Sequence, residues 1–314
     1  MKVAVLGAGG FVGQGVVRHL KERGHDVLPI LRKPRGLPGE VVIDDVLTAD
    51  WAALLAGCDV LINSIARVHI VNDTAADPLA ENRRINRDGA VATGEGAARA
   101  GVKRMVFIST IKVNGESSPL GEPFRADSIP TPEPGDGYGI SKLEGEQALF
   151  ALGRRTGMEV TVVRPPLVHG PGARANLGAL MKAIDRGIPL PLGSIRDNRR
   201  SLVGVDNLAD LVITAAEHAN APGELFLASD GVDVSTRELV LRLAAAMRKQ
   251  ARLVPVPVGA MRLAGKLTGK SAAVDRLLGN LQVDIAKNRE VLGWTPPVSF
   301  DEGLRRCAAG YRRG

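Results

Sequence analysis

The sequence predicts an α/β protein built on a doubly wound parallel sheet, with a smaller, mostly helical C-terminal lobe. Two observations carry the prediction. Short apolar runs alternate with helical stretches through the first half of the chain, and parallel strands need such crossover helices. A glycine-rich loop joins the first apolar run to the first helix.

Val3 to Leu6 reads as a buried strand, and the loop after it opens a helix from about Phe11 to Arg23. That helix ends at Gly24, where a left-handed cap costs little. Asp26 to Leu31 is the second strand. Val41 to Ile43, Val60 to Ile62 and Arg104 to Ile108 continue the series, with helices near Ala49 to Ala56 and Glu81 to Ala100 between them. A helix from Tyr138 to about Thr156 leads to the strand Glu159 to Val163, and Arg164-Pro165-Pro166 then ends regular pairing. Beyond it, Pro and Gly punctuate the chain as far as Gly193. Helices are expected at Leu177 to Arg186, Asp206 to His218, Ser235 to Lys249 and Phe300 to Ala309.

Composition excludes several classes of function. With 314 residues, 45% of them hydrophobic, the chain can bury a substantial core. Cys58 and Cys307 are isolated, so neither a disulfide framework nor a structural zinc site is indicated, and a reducing cytoplasm is the expected location. The apolar run Val3 to Ala8 breaks into glycines and is too short for a signal peptide, and no run approaches the ~20 residues that cross a bilayer. Membrane insertion is therefore not expected. The formal charge is +7, but Arg and Lys read as dispersed through both halves, without a nucleic-acid motif. A solvated basic surface that favours small polyanions is expected instead. His19, His25, His69, His169 and His218 make no metal-like spacing, so no metal is expected, and no GxSxG or HExxH anchors a hydrolase.

Gly7-Ala8-Gly9-Gly10-Phe11-Val12-Gly13 follows a strand and opens a helix, the context in which a glycine motif reads as a dinucleotide site. Gly7 allows the tight turn, Gly10 lets the backbone approach a pyrophosphate, and Gly13 lets helix and strand pack closely. The helix N-terminus adds amide donors for phosphate. The second strand ends Ile30-Leu31-Arg32-Lys33, without the acid that would hold a ribose 2′-hydroxyl. NADP is favoured over NAD on that ground, unless Arg32 and Lys33 are ordinary loop cations. Asp45 and Val46, just past the third strand, are candidates for the adenine edge.

Tyr138-Gly-Ile-Ser-Lys142 places a phenol and an ammonium at i, i+4 on one helix face. The lysine charge is expected to lower the tyrosine pKa from its ordinary ~10, making Tyr138 a general acid/base at a carbinol or carbonyl. Ser109-Thr110 ends the fifth strand, and Thr110 would share a hydrogen bond with the reacting oxygen, or else simply cap the strand.

With these motifs in place the chain resembles the extended short-chain dehydrogenase/reductase superfamily, within it the UDP-hexose 4-epimerase branch and the related reductases of UDP-4-keto sugars. The resemblance rests on Gly7/Gly10/Gly13, Asn86-Arg-Asp-Gly89, Ser109-Thr110, Tyr138/Lys142, Arg164-Pro165 and Arg200-Ser-Leu-Val-Gly-Val-Asp206. It implies a Rossmann domain of residues 1–164 plus about 204–228, and a nucleotide-sugar lobe of about 165–203 and 229–314. It implies cofactor contacts from Phe11, Val12, Ala66, Asn86, Ser109, Tyr138, Lys142 and Pro165. A UDP-sugar would lie between the lobes, its diphosphate held by Asn176, Arg200 and Arg276, whose guanidinium forks suit phosphate. Helices 81–100 and 138–156 would pair with a second copy in a homodimer.

The sequence also departs from the family pattern. Val113-Asn114-Gly115 and Val168-His169-Gly170 lack a tyrosine often found before the glycine. Thr110-Ile111-Lys112 replaces the Thr-Asp-Glu of sugar dehydratases, which argues against water elimination. Leu281 matches the position where a bulky tyrosine excludes N-acetylated sugars in epimerases; leucine there leaves more room, or is an ordinary core residue. Three readings follow: an epimerase at C4 of a UDP-hexose or UDP-N-acetylhexosamine, an NADPH-dependent reductase of a UDP-4-keto-6-deoxy sugar, or a non-catalytic dinucleotide sensor or scaffold.

Overall fold

The protein is described from a computed structural model that covers residues 1–68, 75–173, 175–269 and 271–312. The elements in chain order begin with β1 (Lys2–Leu6), α1 (Phe11–Glu22), β2 (Asp26–Leu31), β3 (Val41–Val42), α2 (Trp51–Leu54) and β4 (Val60–Asn63). Next come α3 (Pro78–Arg83), a π turn at Arg84–Asp88, α4 (Gly89–Arg99), β5 (Arg104–Ile108), a 3₁₀ turn at Ile111–Val113, α5 (Gly137–Thr156) and β6 (Glu159–Arg164). The remainder is β7 (Leu167–His169), α6 (Ala175–Asp185), β8 (Arg200–Gly204), α7 (Val205–Glu217), β9 (Leu225–Leu227), β10 (Asp233–Val234), α8 (Thr236–Ala246), α9 (Val258–Leu267), α10 (Ser271–Leu278), α11 (Ala286–Leu292) and α12 (Phe300–Tyr311).

Seven parallel strands form the main sheet in the order β3-β2-β1-β4-β5-β6-β9. Strand order reverses between β1 and β4, and in doubly wound sheets ligands bind outside the C-terminal strand ends at such a switch point. Because helices cover both faces, the strands are apolar on both sides. Val3 and Val5 face a core shared with Val16, Leu20, Leu208 and Val212 of α1 and α7. Ala4 and Leu6, one residue out of phase, face Leu61, Met105, Phe107, Leu149 and Leu152 on the other side.

The predicted strands β1, β2, β4, β5 and β6 are present to within a residue at each end. Arg164-Pro165-Pro166 ends β6 as expected, and the chain resumes at Leu167 in a different sheet. Two parts of the second half differ from expectation. The smaller lobe holds a three-stranded sheet, β10-β8-β7, among its helices; with β7 three residues long and β10 two, neither shows an alternation to read. Helices α9, α10 and α11 were not predicted: α10 buries none of its residues and α9 only Met261 and Gly265, so neither has a continuous apolar face. A third core, around Leu177, Met181, Ile184, Leu202, Leu243, Phe300 and Leu304, holds this lobe together.

The predicted helix over residues 81–100 runs through a π turn, a single wide turn of the kind found at functional sites. It brings α5 very close: a Cβ built on Gly145 would lie 2.7 Å from the Asn86 carbonyl oxygen. That contact fixes the helix carrying Tyr138 and Lys142 against the sheet.

Candidate active site

The glycine loop has the geometry its sequence requires. Gly7 takes φ +87°, open to glycine but strained for other residues, and its N–H donates to Ile30 O at 2.9 Å. A Cβ on Gly13 would come within 2.1 Å of Gly7 O, so α1 starts directly against the turn. Gly10 N–H donates back to Gly7 O at 2.9 Å, and a Cβ there would meet nothing closer than 3.2 Å. Across the switch point, at the end of β5, the Ser109 hydroxyl is buried and finds no partner among the described residues. A close-approach glycine cradle and an orphaned hydroxyl facing the strand ends fit a dinucleotide.

Lys142 is wholly buried, and its Nζ donates to Ile108 O at 2.9 Å and Ile65 O at 3.1 Å, bridging the ends of β5 and β4. The ammonium lies 4.2 Å from the centroid of the Phe107 ring. Burial pulls its pKa down to about 7, with the Glu146 charge opposing the shift. One turn back, the Tyr138 phenol lies beside the Thr110 hydroxyl, which acts to lower its pKa. Thr110 Oγ1 also accepts from Lys112 N at 3.3 Å, so this side chain both caps the 3₁₀ turn and meets the phenol.

The acidity expected of Tyr138 is reversed. Its pKa is pushed up to about 12, mainly by burial; the nearby Thr110 hydroxyl opposes the rise and the Asp136 carboxylate adds to it. A lysine at i+4 does not overcome this, since Lys142 is held by two carbonyl oxygens and is itself easily deprotonated.

A chain of charges runs from Tyr138 toward the smaller lobe. Asp136 pairs with Lys112 at 3.2 Å, and Lys112 also pairs with Glu116. Glu116 in turn faces Arg200, whose pKa is lowered by burial and by nearby Arg276, with Glu116 opposing. Arg200 Nη1 donates to the carbonyl oxygens of Arg276 (2.8 Å) and Gly279 (3.1 Å), and its backbone bridges to Leu281. Arg200, Arg276 and Leu281, all expected to hold substrate, thus come together; the side chain of Asn176 lies outside the described residues. Leu281 is buried, packed with Ile111, Leu227 and Val283, one residue along from Thr110 through Ile111.

Other expected cofactor residues are engaged within the protein. Asn86 is buried, and its amide bonds Arg67 O (3.1 Å), Arg67 N (2.8 Å) and Ser141 Oγ (3.0 Å), so it positions the loop after β4 and helix α5 instead of facing outward. The Asp45 carboxylate accepts from Leu47 N at 2.8 Å and pairs with Arg84, and Val46 O accepts from the Trp51 indole at 2.8 Å. Ala66 is exposed beyond β4, Phe11 and Val12 are half-buried at the start of α1, and Pro165 is buried with its carbonyl accepting from Ile111 N at 2.9 Å. Arg32 and Lys33 are exposed after β2, and the Arg32 charge acts on Asp45.

Several residues at the site escaped the sequence reading. Arg35, three residues past Arg32, lies against Gly9 of the glycine loop, its Cγ 3.5 Å from where a Cβ would stand. Glu146 forms a buried pair with Arg164, whose Nη1 also donates to Asn114 Oδ1 at 3.0 Å. Removing one partner of such a pair costs ~3–5 kcal/mol, because a buried charge is left behind. The signal for Glu146 was present: Tyr138, Lys142 and Glu146 recur every fourth residue along one helix face. Asn114 and His169 stand where family members often carry tyrosine, and both are buried in polar contacts, His169 Nε2 lying 2.6 Å from Asp230 Oδ2.

A glycine cradle at a switch point, faced by a Thr-Tyr-Lys set at the neighbouring strand ends, defines a protein of the extended short-chain dehydrogenase/reductase class. Residues 3–228 match the model of the NAD dependent epimerase/dehydratase family, and the chain belongs to that family. It is 42% identical over 314 residues to a UDP-glucose 4-epimerase of Vibrio cholerae, an alignment covering 98% of this chain and 95% of that protein. Its fold is similar to that of UDP-glucose 4-epimerase from Thermotoga maritima with UDP-glucose, with a TM-score of 0.79 at 22% identity, covering 100% of this chain and 99% of that one. The fold is equally similar to UDP-glucuronic acid 4-epimerase from Bacillus cereus in complex with NAD, with a TM-score of 0.79 at 20% identity and the same coverage.

Proposed function

We propose that the protein is a UDP-hexose or UDP-N-acetylhexosamine 4-epimerase using a tightly held nicotinamide dinucleotide. The observation that carries the reading is the placement of Tyr138 beside Thr110 and of Lys142 at the C-terminal ends of β4 and β5, beside the glycine loop, in a chain 42% identical to a UDP-glucose 4-epimerase. In this reading residues 1–164 with about 204–228 hold the dinucleotide, and residues 165–203 with 229–314 hold the sugar nucleotide.

Tyr138 exchanges the proton of the sugar 4-hydroxyl, Thr110 orients that oxygen, and Lys142 fixes the geometry through its two carbonyl anchors. The bound nicotinamide supplies the hydride acceptor, and in its oxidised form a positive charge that favours the phenolate. Arg200 and Arg276 hold the diphosphate, which leaves the sugar free to turn between hydride removal and return. Helices α4 and α5 would pair two copies in a homodimer, and the two free, buried cysteines suit a reducing cytoplasm.

A second reading is favoured by one observation: Arg32, Arg35 and Arg84 gather where β2 ends, as suits a 2′-phosphate. That points to NADPH and a single hydride delivery to a UDP-4-keto sugar. Incubation of purified protein with a panel of UDP-sugars and UDP-4-keto sugars, with and without NAD(P)H, separates the readings. Interconversion of 4-epimers without consumption of added cofactor supports the epimerase; stoichiometric loss of NADPH with a keto sugar supports the reductase. No product from either set leaves a dinucleotide-binding scaffold.

A further inference from the structure

The positive charge of the chain is not dispersed. Between Arg248 and Asn280 the sequence carries Arg248, Lys249, Arg252, Arg262, Lys266, Lys270 and Arg276 against Asp275 alone, so this stretch accounts for six of the seven net charges. It contains the hairpin of α9 and α10, which packs tightly within itself: a Cβ on Gly265 would stand 2.9 Å from Val274 Cγ2. The hairpin is buried little on the rest of the protein.

On α9 the residues Ala260, Leu263, Ala264 and Leu267 follow i, i+3, i+4, i+7 and form one stripe opposite buried Met261 and Gly265. All four are exposed, Leu263 by 59% and Leu267 by 79%. Arg262 and Lys266 border the stripe along its Leu263 edge, also exposed, and neither joins an ion pair among the described residues. An apolar stripe bordered by cations is the pattern of a helix lying in the plane of an anionic bilayer surface, with its leucines among the acyl chains and its cations among the headgroups.

We propose that the α9–α10 hairpin docks this protein on the surface of a membrane containing anionic lipid, without crossing it. Charge selects this occupant. A second copy would bring Arg262 and Lys266 against like charges, and a nucleic acid would gain nothing from exposed leucines while finding no aromatic residue between Arg248 and Asn280 on which to stack a base. The hairpin is tied to the candidate site: Leu277 O accepts from Asn198 Nδ2 and Thr236 Oγ1, and Arg276 O from Arg200. Docking therefore sets the rim of the proposed sugar-nucleotide pocket at the lipid surface. No described helix is long and apolar enough to span a membrane, which agrees with a surface contact.

The test is co-sedimentation of the full chain with phosphatidylcholine vesicles with and without phosphatidylglycerol. We expect partitioning at least about ten-fold stronger with the anionic lipid. It should fall by a similar factor in the Leu263→Asp/Leu267→Asp double variant and in Arg262→Gln/Lys266→Gln, while circular dichroism and sugar-nucleotide turnover stay at wild-type levels. Absence of vesicle binding overturns the proposal. So does binding that survives the leucine substitutions, which would be diffuse surface charge alone. Loss of a dimer in the leucine variant, seen by light scattering without any lipid binding in wild type, also overturns it, in favour of self-association.

Discussion

Lys112 Nζ donates to Asp136 Oδ2 at 3.2 Å, so the carboxylate that precedes Tyr138 by two residues is neutralised from the other side of the strand ends. Asp136 still raises the Tyr138 pKa, because negative charge disfavours a nearby phenolate. Asp136→Asn removes that charge and should lower the Tyr138 pKa. The limb of kcat/KM that rises with pH, which reports formation of the phenolate that takes the 4-hydroxyl proton, should move to lower pH, with Lys112 retaining Glu116 as partner. An unmoved limb would show that Asp136 does not reach the phenol.

Tyr138→Phe should fold and bind cofactor normally but lose at least ~100-fold in turnover, the usual contribution of general acid/base catalysis. Cofactor titration beside steady-state kinetics checks both halves. Near-wild-type turnover would place the proton-transferring group elsewhere.

The parts of the fold legible in the sequence are those whose signals are local. Gly7, Gly13 and Gly24 punctuate β1 and α1, and the apolar runs of the main sheet stand out because both faces are covered. Tyr138 and Lys142 were legible as a pair by spacing alone. Their acidity was not, because spacing carries no information on burial, and burial sends the phenol up and the ammonium down. The contacts of Asn86 with Arg67 and Ser141 were not legible, since they arise only through the packing of α5 on the π turn. Arg35 was missed because a loop residue three positions beyond a strand gives no hint that its side chain turns back to the glycine loop.

The depressed Lys142 pKa has a consequence for stability. The folded value lies near 7 and the unfolded one near 10.5, so between them the unfolded chain binds the extra proton. Stability contributed by this group therefore rises with pH across that window, by up to ~1.4 kcal/mol per unit, and is lost as pH falls to about 7. Denaturant unfolding of wild type and Lys142→Met from pH 6 to 10 isolates the effect, and the difference in slope should vanish outside the window. Parallel curves throughout would mean that Lys142 keeps its charge when folded. The same variant should also lose turnover, as Tyr138→Phe does.

Leu281 packs on Ile111 next to Thr110, so a larger side chain there either crowds its own cluster or projects toward the sugar. N-acetylhexosamine nucleotides should be accepted at least as well as plain hexose nucleotides by wild type. Leu281→Tyr should shift the kcat/KM ratio toward the smaller sugar by about ten-fold or more, the scale of steric discrimination in a pocket. Overpacking alone would cost stability of ~1–3 kcal/mol without changing the ratio, and an unchanged ratio removes Leu281 from the pocket.

Cofactor choice decides between the two catalytic readings. Leu31 ends β2 and offers no acceptor for a ribose 2′-hydroxyl, whereas Arg32 follows it exposed and Arg35 lies against Gly9 of the glycine loop. Charge-assisted bonds from them to a 2′-phosphate would contribute ~1.5–3 kcal/mol each. NADP(H) should then bind at least as well as NAD(H), and Arg32→Ala and Arg35→Ala should each weaken NADP(H) selectively. An epimerase keeps its cofactor through the cycle and gains nothing from exchange, while a reductase must take a fresh hydride at every turnover, so a strong NADPH preference moves the assignment to the reductase. Isothermal titration of both cofactors against wild type and the two variants decides the matter. If NAD(H) binds more than ~10-fold tighter, a gap of ~1.4 kcal/mol, and neither substitution changes its affinity, the arginines are surface charge only and the case for a reductase fails.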